Sequence, residues 1–167
     1  MNLYLLRHGI AVEPGTHGLT SDADRPLTPE GRRKLEIIAG AMRAMDLSYG
    51  LVLSSPYLRA RETTEIITKA LHLRTEVQFS DALVPSASPA KIISLIHHLA
   101  PPPADLLLVG HEPCLSKLIS FLVCRKSDCA FVMKKGGLCK LSTESLQAGA
   151  CAALDWLLTP KQMALMG

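Results

Sequence analysis

Short apolar runs alternate with helical patterns along most of this chain, and this alternation constrains its fold more than any other feature. Buried strands are predicted at residues 2–6, 51–53, 75–79 and 106–109. The segments between them repeat apolar residues at helical spacing, and Thr28-Pro29 supplies an N-cap followed by a first-turn proline. Strands that alternate with helices form a parallel sheet covered by helices on both faces.

The C-terminal part of the sequence predicts a change from parallel to antiparallel strands. A Lys-Lys-Gly-Gly turn at residues 134–137 lies between the apolar segments 131–133 and 138–141, which predicts a hairpin. A last strand is predicted at residues 152–158. We therefore expect a three-layer α/β/α fold, whose sheet is mostly parallel with antiparallel strands at one edge.

Length and composition exclude several classes of protein. The 167 residues predict a single domain over residues 1–167, and the formal charge of +3 without a long basic run argues against nucleic-acid binding. No stretch has the length of a membrane span, and no secretory signal is recognisable. The five cysteines form no CxxC pair. We therefore expect a reduced cytoplasmic protein that makes no membrane contact.

Cationic side chains follow three of the predicted strands at the points where those strands end. Arg7 and His8 follow the first strand, Arg59 lies in the first turn of the helix after the second, and His111 follows residues 106–109. Gly9 allows the backbone to turn tightly at the first of these junctions. Parallel strands would bring these groups to one sheet edge, where helix N-termini also favour anions. The sequence therefore predicts a phosphate pocket.

The remaining histidines have simpler interpretations. A lone histidine is more often a hydrogen-bonded structural residue than a catalyst, and we assign that role to His17, His72, His97 and His98. A zinc site on His8 and His111 would need further ligands, and no spacing indicates them. We therefore predict no metal and no cofactor.

Four ordered sequence blocks resemble the histidine phosphatase superfamily, which has the phosphoglycerate mutase-like fold. These blocks are Leu6-Arg7-His8-Gly9, Arg25-Pro26-Leu27-Thr28 with Gly31, Ser54-Ser55-Pro56-Tyr57-Leu58-Arg59-Ala60 with Thr63, and Val109-Gly110-His111. The short length and the Arg-Pro-Leu-Thr block are most similar to the SixA-type phosphohistidine phosphatases. The resemblance implies that His8 is a nucleophile that accepts a phosphoryl group. It also implies that Arg7, Arg59 and His111 bind the phosphoryl oxygens, beside Gly9.

The general acid is where this sequence departs from the resemblance. Many members place a glutamate after the third strand, whereas residues 80–89 contain Asp81 as their only carboxylate. Glu112 and Glu13 are the other candidates, and spacing does not choose among them. An alkoxide leaving group needs a proton, whereas the imidazole of a phosphohistidine can already carry one.

The favoured function is therefore a metal-independent phosphatase that acts on phosphohistidine in a histidine phosphotransfer-type protein. A small-molecule phosphomonoesterase is the alternative within the superfamily. A phosphate-binding module without turnover is the alternative from another class. The sequence does not predict the oligomeric state.

Overall fold

A mixed six-stranded sheet forms the centre of the computed structural model, which describes residues 1–16, 20–125 and 129–166. The strands are β1 (Asn2–Arg7), β2 (Leu51–Ser54), β3 (Glu76–Phe79), β4 (Asp105–Gly110), β5 (Leu138–Ser142) and β6 (Ala153–Leu158). Their order across the sheet is β3-β2-β4-β1-β5-β6. The first four strands pair in parallel, and β5 pairs antiparallel with both β1 and β6. The predicted mostly parallel sheet with an antiparallel edge is confirmed.

Helices cover both faces of this sheet. They are α1 (Pro29–Ala44), α2 (Leu58–Ala70), α3 (Pro89–His97), α4 (Cys114–Cys124) and α5 (Pro160–Met163), with short 3-10 turns at Asp22–Asp24 and Asp81–Leu83. Alternate residues of β1 enter two separate cores, because successive side chains of a strand point to opposite faces. Leu3 and Leu5 pack with α3 and α4, whereas Tyr4 and Leu6 pack with α1 and α2. The three-layer α/β/α arrangement is therefore confirmed.

The start of α1 is fixed against the loop that follows β1. The Thr28 side chain accepts a hydrogen bond from the Gly31 N–H at 2.9 Å, as predicted for its N-cap. The Thr28 N–H donates to the Ile10 carbonyl at 2.9 Å. A Cβ atom at Gly31 would lie 2.1 Å from that carbonyl oxygen, so only glycine allows this approach. The capped helix therefore holds the loop after β1 in place.

The predicted hairpin of residues 131–133 with residues 138–141 is wrong. Residues 131–133 form no strand, and β5 pairs with β1 and β6 instead. The Met133 carbonyl accepts a hydrogen bond from Arg7 Nη1 at 2.6 Å. The Gly136 N–H, at a positive φ of 79°, faces the carbonyls of Arg7 and His8. This segment is therefore part of the wall beside β1 rather than a strand.

The structure also bears on the histidines with predicted structural roles and on the expected lack of a membrane span. His97 and His98 hydrogen-bond to the Leu146 and Ser94 carbonyls, in line with structural roles. His17 lies outside the described residues. Within the described part of the chain, no helix is long and apolar enough to cross a membrane.

Candidate active site

The carboxyl ends of three adjacent strands bring the predicted pocket residues together. β4 lies between β1 and β2, so the segments that follow these strands meet at one sheet edge. The rings of His8 and His111 lie 4.9 Å apart between centroids, and Arg59 Nε lies 3.3 Å from His8 Nε2. Parallel pairing therefore assembles the cluster from distant parts of the chain, as the sequence predicted.

His8 is held as a neutral imidazole with a defined tautomer. Its Nδ1 lies 2.7 Å from the Gly9 carbonyl oxygen, which can only accept, so the proton lies on Nδ1. The lone pair of Nε2 then accepts from Arg59 Nε–H. Burial, together with the charges of Arg59 and Arg7, lowers the pKa of His8 to about 3. Only 5% of His8 is exposed.

Gly9 holds the His8 loop close to both neighbouring helices. Its N–H donates to Thr63 Oγ1 at 3.1 Å, and the Thr63 hydroxyl donates to the Arg59 carbonyl at 2.6 Å. A Cβ atom at Gly9 would lie 2.7 Å from Leu35 Cδ1. The absence of a side chain therefore lets the loop reach α2 while it packs against α1.

Arg59 is buried and held by more than one group. Its Nη1 donates to the Asp22 carbonyl at 2.5 Å, and its Nη2 donates to Asp22 Oδ2 at 2.9 Å. Its guanidinium carbon lies 5.1 Å from the centre of the Tyr57 ring. Asp22 also pairs with Arg25 at 2.8 Å. The sequence did not single out Asp22, because no local pattern distinguishes it from its neighbour Asp24.

His111 is oriented by Ser55, whose role the sequence also did not reveal. The Ser55 Oγ accepts the Tyr57 N–H at 3.3 Å and lies 2.8 Å from His111 Nε2. With the Ser55 hydroxyl donating to His111 Nε2, the proton of the neutral ring lies on Nδ1. Burial and the nearby cations lower the pKa of His111 to about 2. His111 is therefore a neutral donor through Nδ1.

Three buried donors at this edge lack a hydrogen-bond partner in the described part of the chain. They are Arg7 Nε, Arg25 Nε and His111 Nδ1. A buried donor without a partner costs about 1–3 kcal/mol. Burial lowers the pKa of Arg7 while the Glu112 carboxylate raises it, and arginine keeps its charge in either case. The cluster is therefore suited to binding an anion with several acceptor oxygens.

A model of the histidine phosphatase superfamily (branch 1) matches residues 3–84, which contain Arg7, His8 and Arg59. An uncharacterized protein of Picosynechococcus is 32% identical to this chain, and the aligned region covers 96% of this chain and 98% of that protein. The chain belongs to the histidine phosphatase superfamily.

Further similarities to this superfamily extend over nearly the whole chain. The phosphohistidine phosphatase SixA of Escherichia coli is 23% identical over 96% of this chain and 94% of its own. A solved structure of the protein histidine phosphatase SixA complexed with tungstate superposes on this chain with a TM-score of 0.80 at 22% sequence identity. The match covers 96% of this chain and 98% of the SixA chain. The chain is thus SixA-like in fold, and superfamily membership supports phosphatase activity.

Two of the three candidate acids, Asp81 and Glu13, are exposed. Asp81 is exposed and lines a separate cavity with Lys91 and His98. Glu13 is 78% exposed in its side chain and lies 4.0 Å from Lys135.

Glu112 is the candidate acid whose charge acts on the cluster. Its carboxylate raises the pKa of Arg7, and it accepts the Ser116 N–H in the first turn of α4 at 3.2 Å. Among the described residues, no carboxylate hydrogen-bonds to His8 or His111. In the same residues, no group of three His, Cys, Asp or Glu side chains could hold a metal ion.

Proposed function

We propose that this protein is a metal-independent phosphatase that forms a covalent intermediate on His8 and acts on phosphohistidine in a phosphotransfer-type protein. The tautomer of His8 is the observation that carries the proposal. Nδ1–H donates to the Gly9 carbonyl, so the Nε2 lone pair is available for attack on phosphorus. The likeness to SixA, which is described as a phosphohistidine phosphatase, supports the substrate class.

The first step exchanges one N–P bond for another. Nε2 of His8 attacks phosphorus, and the bond from phosphorus to the substrate imidazole breaks with its electron pair on the departing nitrogen. That imidazole leaves neutral when its second nitrogen carries a proton, so no enzymatic acid is required. Water then attacks phosphorus, the Nε2–P bond breaks, and the water proton passes to solvent as phosphate is released.

The surrounding donors would stabilise the phosphoryl oxygens during both transfers. Arg59 Nε–H, which donates to the His8 lone pair in the free protein, would donate to a phosphoryl oxygen once that lone pair has attacked. Arg7 Nε–H and His111 Nδ1–H are buried and have no partner among the described residues, and each would donate to an oxygen of the same phosphoryl group. Fixed donors in a buried site act without reorganisation, which is the main source of catalysis in phosphoryl transfer.

The placement of the carboxylates favours phosphohistidine over a phosphate ester. Asp81 lines another cavity, and the carboxylate of Asp22 is already paired with Arg59 and Arg25. Glu112 acts on Arg7 through its charge, and among the described residues it hydrogen-bonds to the Ser116 N–H rather than to either histidine. A substrate whose leaving group carries its own proton therefore fits this site best.

The test compares phosphate release from a histidine-phosphorylated carrier protein, a sugar phosphate and a phosphoserine peptide in EDTA. We expect selective release from the carrier protein, an acid-labile phosphoryl group on the parent enzyme after rapid quenching, and loss of both in His8→Ala. Preference for the sugar phosphate would overturn the substrate assignment in favour of a phosphomonoesterase. Phosphate binding that survives His8→Ala, with no turnover by the parent protein, would instead favour a binding module.

A further inference from the structure

A cationic groove opens beside the candidate active site, between α1, the turn at residues 134–137 and α5. It encloses about 760 Å³. Five cations line it: Arg7, Lys34, Lys134, Lys135 and Lys161. Its apolar surface includes Ile37, which is 49% exposed, and Pro160. The groove thus combines an apolar floor with a cationic rim.

The groove is continuous with the site. Arg7 lines the groove and also contributes the unpartnered Nε to the histidine cluster. The Gly136 N–H lies 3.0 Å from the carbonyl oxygens of Arg7 and His8, which places the neighbouring Lys135 beside the loop that carries the nucleophile. A molecule that presents a phosphoryl group to His8 would therefore reach the groove with its neighbouring atoms.

Acidic side chains within the protein neutralise the groove only in part. Lys34 pairs with Glu30 at 2.6 Å, and Lys135 lies 4.0 Å from Glu13. These pairs are exposed, and such pairs are weak and exchange easily. Lys134 and Lys161 have no carboxylate within 4.0 Å in the described part of the chain. None of the described residues that line the groove is acidic, so its charge complements an acidic partner.

We propose that the cationic groove binds an acidic, amphipathic helix of the phosphorylated substrate protein, next to the phosphohistidine that enters the active site. This inference rests on the proposed function, because it assigns the substrate surface recognised by the same site. An amphipathic helix lays its apolar face into a groove of this kind, while its flanking carboxylates face the lysines. The groove has the volume of a site for a ligand much larger than phosphate. The half-exposed Ile37 gives it an apolar surface that a phosphoryl group does not use.

The test reverses two groove charges that lie outside the catalytic cluster, in the variant Lys34→Glu/Lys161→Glu. Both lysines are exposed, on α1 and α5. The matched control is Lys69→Glu/Lys91→Glu, which makes the same charge change at exposed positions on α2 and α3. Thermal melting first checks that both variants are folded. Steady-state kinetics then use a helical phosphotransfer protein phosphorylated on histidine, and free phosphohistidine as the small substrate.

We expect the groove variant to raise KM for the phosphorylated protein about tenfold or more, since two charge contacts become repulsive. The kcat for that protein and kcat/KM for free phosphohistidine should stay within about twofold of the parent values. The control variant should leave KM and kcat unchanged for both substrates. Raising the salt concentration should increase the parent KM for the protein but leave the small substrate unaffected.

Direct binding separates failure of the groove from failure of the proposed function. The Kd of the phosphorylated protein is measured on His8→Ala, with and without the two groove substitutions. Weaker binding in the groove variant supports the groove even if the parent protein releases no phosphate, an outcome that would sink the catalytic proposal alone. An unchanged Kd and KM would overturn the groove while leaving the catalytic proposal intact. An equal loss on free phosphohistidine would also overturn it, because the groove would then hold a small phosphate compound.

Discussion

The two sides of the site differ in how firmly their side chains are held. On the side formed by β1, β2 and β4, His8, Arg59 and His111 are buried and each has a hydrogen-bond partner. On the side of the cationic groove, Lys134 and Lys161 are exposed and have no carboxylate partner in the described residues. The first group, the buried side, is fixed before any substrate arrives. These two groove lysines are held by no ion pair within the described residues and can adapt to a partner.

This difference indicates a division of labour. Preorganised donors suit a reaction in which charge moves over a few ångströms, because they need no reorganisation. Flexible surface cations suit recognition of a protein, where charge complementarity steers association and selects partners. Substitutions on the buried side should therefore change turnover, and substitutions in the groove should change KM. The predictions below test this separation.

The largest effect is expected at His8. His8→Ala removes the atom that forms the bond to phosphorus, and kcat/KM for the phosphorylated protein should fall by about 10⁴-fold or more. His72→Ala, at an exposed histidine, is the control and should leave the rate unchanged. The measurement is phosphate release under single-turnover conditions. Residual activity within tenfold of the parent would show that the nucleophile lies elsewhere and would end the comparison.

The next effect concerns stability and pH. The folded pKa values of His8 and His111, about 3 and about 2, lie below the unfolded value near 6.5. Below pH 6.5 the unfolded chain binds protons that the folded protein does not. The stabilisation is thus present above pH 6.5 and is lost as pH falls towards the folded values. Below pH 6.5 each histidine should lower the free energy of unfolding by about 1.4 kcal/mol per pH unit. For both histidines together the loss at pH 5 is about 4 kcal/mol.

Urea unfolding at pH 7, 6 and 5 measures this loss. The variant His8→Gln/His111→Gln should lack the histidine part of the pH dependence, whereas His72→Gln should retain it. Equal slopes in the parent and the double variant would mean that the two histidines titrate normally when folded. The buried side would then be open to water, contrary to its place in the comparison.

Arg59→Lys should reduce kcat by about 100-fold, because lysine cannot present Nε to His8 while two further nitrogens hold Asp22. Arg61→Lys is the matched control two positions along α2, where the guanidinium lies over the exposed Phe79 ring. Its kcat should stay within about twofold. Steady-state kinetics on the phosphorylated protein check both. Equal effects at the two positions would remove the distinction between fixed and free cations.

Ser55→Ala should reduce kcat by about tenfold, since His111 loses the hydroxyl that fixes its proton on Nδ1. Ser54→Ala removes a neighbouring buried hydroxyl that bonds to the Ser55 carbonyl and Thr64, so it should cost similar stability without the loss of rate. Comparing kcat with the free energy of unfolding separates the two roles. A loss of rate common to both variants would indicate general damage to the β2 end.

The smallest effects are expected at the exposed carboxylates. Asp81→Asn and Glu13→Gln should change kcat for phosphohistidine less than about twofold, because neither side chain contacts the histidine cluster. Glu112→Gln is measured beside them, since its charge acts on Arg7. A pH–rate profile for each variant accompanies the rates. A tenfold loss at any one position would identify a general acid and move the substrate assignment towards phosphate esters.

Local patterns in the sequence carried much of the fold and of the candidate cluster. Apolar periodicity predicted the six strands with bounds close to those observed, because the burial of a strand or helix face is written in residues that are near neighbours in the chain. The positions of His8, Arg59 and His111 followed from one topological rule, that parallel strands end at a common edge. The resemblance to the superfamily rested in part on the same junctions, and its SixA-like character rested on the short length and the Arg-Pro-Leu-Thr block. Both are confirmed.

Contacts between distant segments required the tertiary structure. Arg7 Nη1 meets the Met133 carbonyl across 126 residues, and Arg59 meets Asp22 across 37, and neither partner has a distinguishing local pattern. The expected strand at residues 131–133 failed because its backbone serves the wall beside β1. The burial of His8 and the cationic groove also depend on how separate elements pack.

The sequence by itself therefore determined which elements form and which side chains stand at their ends, since these depend on short-range periodicity and strand order. Only the tertiary structure decided the proton positions on His8 and His111, because each is set by a hydrogen-bond partner. It also decided which lysines share a groove with Arg7. Those choices depend on packing geometry, which is a property of the whole folded chain.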